Sequence, residues 1–125
     1  MPDSYAERVA RAEPVNLAVV RELALALPGA TEEPHFDMVS FRVRGKIFAT
    51  VPPDEVHLHV FVGLAETEAC LAEDPAVFEP LRWGGKTRGV RVNLPAAAPG
   101  RVGELLAESW RRKAPAKLIA ELDQA

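Results

Sequence analysis

The side chains with the clearest chemical use lie in LRWGGKTRGVRVNL, residues 81–94. Gly84, Gly85 and Gly89 free the backbone to present N–H groups, and Arg82, Lys86, Arg88 and Arg91 surround them with positive charge, a combination suited to phosphate oxygens. Trp83 is placed to stack on a base or a sugar. Two readings fit this stretch: a phosphate-contacting β-hairpin, or a glycine-rich hairpin whose Trp83 docks on the core and whose charges are solvated. Gly85-Lys86-Thr87 is not a P-loop. That motif needs glycine where Pro80 stands and a helix after the lysine, whereas Gly89 and the strand-like VRVNL follow.

Two further basic groups join this stretch. Arg42, Arg44 and Lys46 flank a turn at Arg44-Gly45, and Arg111, Arg112 and Lys113 close a helical pattern, where cations also suit the helix dipole. His57 and His59 stand at i, i+2 on a strand pattern and so point the same way, one way to begin a metal pair. No third ligand sits at suitable spacing, and the sequence leaves open whether His35 meets them. Cys70 is read as a small core side chain, since its neighbours on the helix are acidic or apolar and would not activate a thiol. Glu32, Glu33 and Asp37 read as a solvated acidic turn.

No nucleophile–base pair, paired carboxylates or cofactor fingerprint is legible, so the expectation is a binding protein rather than an enzyme, with no cofactor and no metal. The 125 residues carry a formal net charge of −3, which argues against a generic nucleic-acid binder, yet the charge is unevenly placed. Residues 80–118 hold nine basic side chains (Arg82, Lys86, Arg88, Arg91, Arg101, Arg111, Arg112, Lys113, Lys117) and two acidic ones (Glu104, Glu108), a local balance of +7. The single cysteine cannot form an internal disulfide, no apolar run reaches the roughly 20 residues of a membrane span, and residues 1–13 are charged where a signal peptide is apolar. A soluble, cytoplasmic, monomeric protein is expected.

These groups need a scaffold, and the pattern supplies one. Residues 1–14 read as an arm or short helix, and residues 15–125 as one α+β domain. Asn16 caps a helix over residues 16–27, ended by Pro28-Gly29. The acidic turn follows, and then Val39, Phe41 and Val43 and, after the turn, Ile47, Ala49 and Val51 predict paired strands with one buried face. VHLHVFV predicts a third strand, with Val56, Leu58, Val60 and Val62 inward and His57, His59 and Phe61 on the other side. A helix over 65–73, the glycine-rich hairpin, a helix over 101–113 and a short closing helix complete a sheet of about four to five antiparallel strands against N- and C-terminal helices.

The order of these elements, with LPGATEE, SFRVRGKIFATV, WGGKTRGVRVNL and WRRKAPAKL, resembles the MmcQ/YjbR family over residues 15–122. The resemblance implies a frataxin-like (CyaY-like) α+β fold and DNA binding through two basic β-wings. On this chain the matching wing positions are Arg42, Arg44 and Lys46 in the first and Lys86, Arg88 and Arg91 in the second. Arg82, Trp83 and the Arg111, Arg112, Lys113 cluster complete the expected interface. The other reading is a non-enzymatic regulatory module that binds a protein or a small ligand and has no DNA affinity.

Overall fold

The computed structural model describes residues 14–124, so the predicted arm, apart from Pro14, lies outside the described residues. Asn16 caps α1 (Leu17–Leu25), its side-chain oxygen accepting from the Val19 N–H at 3.0 Å. The helix stops two residues before Leu27, which is buried in the turn that follows. Six strands follow in the order β1 (Ala30–His35), β2 (Met38–Val43), β3 (Lys46–Val51), β4 (His57–Val60), β5 (Phe78–Trp83) and β6 (Lys86–Asn93). Between β4 and β5 lies α2 (Leu64–Glu73), and after β6 come a short 3-10 turn, α3 (Pro99–Arg111) and α4 (Ala116–Gln124).

The strands form one sheet, β1-β2-β3-β4-β6-β5, with every neighbouring pair antiparallel. The sixth strand is β1, which the sequence reads as a turn. Its residues ATEEPH are almost all exposed because it is an edge strand, and an edge tolerates Pro34, whose missing N–H removes no ladder bond a central strand would need.

Helices cover one face, α1 against β1 and α3, α3 against β3 and β4, α2 against β5 and β6. Phe41, Val43, Ala49, Val51, Leu58, Val60, Val90 and Val92 point into that core, where Trp110 is fully buried and donates its ring N–H to the Pro28 carbonyl at 3.0 Å. The predicted inward face of β3 is corrected in one place. A bulge opposite Phe41/Arg42 makes Phe48 the extra residue, so Phe48 is fully buried while Ile47 turns to the opposite face. Ser109 on α3 holds the bulge, its hydroxyl donating to the Phe48 carbonyl and accepting from the Phe61 N–H at 2.9 Å. Val56, expected inward on the third strand, lies before β4 and is 40% exposed.

Candidate nucleic-acid interface and open-face cavity

The two basic hairpins share one construction. Arg44-Gly45 and Gly84-Gly85 all have positive φ (51°, 78°, 60° and 72°), as a two-residue type I′ turn requires. Each turn is followed by a lysine paired across the hairpin, Lys46 with Val43 and Lys86 with Trp83, and two residues later by a bulge at Phe48 or Arg88. Antiparallel pairing then fixes where the turns lie. β2 and β5 run toward the same end of the sheet, so both turns emerge there, three strand spacings or roughly 14 Å apart. The turns at the opposite end carry Asp37, Asp54, Glu55 and Asp74, so the domain is basic at one end and acidic at the other.

At the basic end Arg44, Lys46, Lys86 and Arg88 are exposed and in no ion pair among the described residues. Trp83 is 51% exposed, meets Phe61 edge-on at 5.7 Å between ring centroids, and carries the Arg88 guanidinium 5.6 Å over its ring. Arg82 and Lys113 are also unpaired among the described residues. A hollow of about 370 Å³ lies between Trp83, Arg88, Arg112, Lys113 and the first residues of α2.

Four of the expected contacts are engaged elsewhere. Arg42 folds back on its own sheet, donating to the Ser40 hydroxyl at 3.0 Å and the Pro34 carbonyl at 3.3 Å. Arg91 is bound by Glu79 at 2.8 Å, with Asp54 3.7 Å away. Arg111 is held by Asp123 on α4, which sustains its charge. Arg112 donates to the Phe61 carbonyl at 2.7 Å and so ties α3 to the end of β4. Charge spacing alone does not reveal these partners, which for Arg91, Arg111 and Arg112 come from segments 12 or more residues away.

The uncovered face of the sheet holds a second feature. A cavity of about 640 Å³ is lined by Met38, Ile47, Thr50, His59, Phe61 and Leu81, with His35 at the end of β1, Phe36 in the turn after it, and Arg82, Trp83 and Lys113. His35 and His59 thus share a cavity. His57 instead binds Asp54, Nδ1 to carboxylate at 2.7 Å, and lines another hollow. Burial would raise the Asp54 carboxyl, but the Val56 N–H and His57 outweigh it and hold that group below its usual range. His59 lies 3.2 Å from the Thr50 hydroxyl through Nδ1, while its Nε2 is buried without a hydrogen-bond partner among the described residues. Burial first, then the charge of Arg91, pushes the His59 ring below its ordinary pKa, so it is neutral at pH 7. No three His, Cys, Asp or Glu side chains among the described residues converge as a metal site. Cys70 is fully buried and burial raises its pKa, although Arg101, itself bound to Glu66 and Glu73, stands 3.3 Å from the sulfur and opposes the shift.

The YjbR family model matches residues 25–112, which span the sheet, both hairpins and all of α3. The chain belongs to the YjbR family. Among solved structures, the Deinococcus radiodurans protein DR2400, with its DUF419 domain, superposes with a TM-score of 0.67 at 21% identity, covering 77% of this chain and 76% of that one. At that identity the likeness is one of fold. No curated protein matches the chain. In this YjbR domain no helix among the described residues is long and apolar enough to cross a membrane.

Proposed function

We propose that this YjbR protein binds DNA through the phosphate backbone, using the two hairpin turns as a pair of basic wings, and that it acts by binding rather than by catalysis. The observation that carries this reading is the shared end of the sheet: Arg44 and Lys46 on one turn and Lys86 and Arg88 on the other, all without acidic partners among the described residues. Oppositely charged ends would orient the domain toward a polyanion despite its overall negative charge. Half-exposed Trp83, at the base of the second wing, offers a stacking surface.

Fluorescence anisotropy on a labelled duplex and a labelled single strand tests this directly. Binding should be measurable at low salt, and both Arg44→Glu/Lys46→Glu and Lys86→Glu/Arg88→Glu should abolish it. Loss in only one variant would reduce the interface to one wing. Binding that neither variant disturbs, or no binding at low salt, overturns the proposal.

A further inference from the structure

The cavity on the uncovered face is not explained by phosphate contacts. Its volume of about 640 Å³ falls within the roughly 300–1,000 Å³ typical of small-molecule sites, which are mainly apolar with a few placed polar groups. Met38, Ile47, Phe61 and Leu81 form the apolar lining, on a sheet face that would be polar if it merely met water. Phe36, also in the lining, is 91% exposed and sits at φ 57°, a left-handed conformation that is rare for a bulky residue. The β1–β2 turn therefore contributes an exposed aromatic ring to the lining from a backbone conformation that is itself unfavourable, as segments at ligand sites often do.

Polar groups are few and differ in kind. Arg82 and Lys113 stand at the side with no acidic partner among the described residues. His59 also lines the cavity, and its buried Nε2 has no hydrogen-bond partner among the described residues.

We propose that this cavity is a binding site for a small, flat aromatic molecule bearing one anionic group, its rings among Met38, Ile47, Phe61 and Leu81 and its anion on Arg82 and Lys113. Aromatic walls favour a flat ring system, and two unpaired cations on one side select an anion over a neutral molecule of the same shape. The inference does not rest on the DNA reading. Arg82 and Lys113 serve both readings, but Arg44, Lys46, Lys86 and Arg88, whose reversal tests DNA binding, are absent from this lining, so the two tests fail separately.

The test uses 8-anilinonaphthalene-1-sulfonate as the anionic probe and N-phenyl-1-naphthylamine as its neutral counterpart, titrated by fluorescence into the full chain. One saturable site per chain is expected for each. Arg82→Ala/Lys113→Ala should weaken the sulfonate about tenfold and the amine less than twofold. Ile47→Trp, which fills the cavity from the face away from the core, should weaken both at least tenfold. Several weak sites per chain, no saturable binding, or binding indifferent to both variants would overturn the proposal. Should Ile47→Trp lose its near-ultraviolet dichroism, amide NMR of the wild type decides. The sulfonate must shift Ile47, Thr50, His59 and Leu81, and shifts confined to Gly45 and Gly85 would overturn it.

Discussion

The salt dependence of DNA binding counts neutralised phosphates, because each contact releases condensed counterions. The sequence offers ten cations for the interface, but six have no ion pair or backbone anchor among the described residues: Arg44, Lys46, Arg82, Lys86, Arg88 and Lys113. With all six on duplex phosphates, log K against log salt should fall with a slope of about −5.4, against about −9 for ten. Between 50 and 200 mM salt that separates an affinity loss on the order of 10³-fold from one on the order of 10⁵-fold. Anisotropy titrations of a labelled duplex at several KCl concentrations measure the slope. Lys46→Gln/Lys86→Gln should flatten it by about 1.8, one phosphate for each of two structurally equivalent lysines. Arg91→Gln should leave it unchanged, because Glu79 and Asp54 already hold that charge. A slope near −9, or a flattening by Arg91→Gln, would refute the argument that internal ion pairs withdraw these residues from the interface.

Ser109→Ala strips the Phe48 carbonyl and Phe61 N–H of their shared partner and should cost on the order of 2–4 kcal/mol in urea unfolding, and a loss below about 1 kcal/mol would contradict it. The His59 pKa is lower in the folded protein than in the unfolded chain, so the unfolded chain takes up the proton first as pH falls below about 6.5 and its contribution destabilises the fold from there downward. The stability of wild type relative to His59→Phe should therefore decline between pH 7 and 5, and a rise would show the sign to be wrong. Gly89→Ala would set a Cβ 2.0 Å from the Val60 carbonyl oxygen, so β6 must part from β4 at a cost of about 3 kcal/mol or more, and an unchanged melting temperature would refute that contact.

The fold was largely legible because its signals are local. Asn16 announces a cap, Arg44-Gly45 and Gly84-Gly85 announce two-residue turns, and alternation in VHLHVFV places Leu58 and Val60 inward and His59 outward, as found. What failed lacks a local signal. An edge strand exposed on both sides shows no alternation, so β1 reads as a turn. A bulge shifts the alternation by one residue within a strand, so Ile47 reads as inward although it lines the open-face cavity. That cavity joins β2, β3, β4 and β5 with the end of α3, and no spacing rule along the chain reports a surface assembled from five separated segments.

The two wings match in backbone but not in anchoring, and this bears on how they would meet a ligand. In the first, the bulge residue is Phe48, fully buried and held through its carbonyl by Ser109, so the turn bearing Arg44 and Lys46 is continuous with the core. In the second, the bulge residue is Arg88, whose side chain lies over half-exposed Trp83 rather than in the core. A cation–π contact at such a site contributes only about 0.5–1 kcal/mol, so a phosphate or a base can displace it at little cost. The first wing therefore fixes the position of its charges, while the second can exchange an internal contact for an external one. Gly89 makes this second arrangement possible: with no side chain it lets β6 close on the Val60 carbonyl of β4, which keeps the adaptable wing in the same sheet as the fixed one.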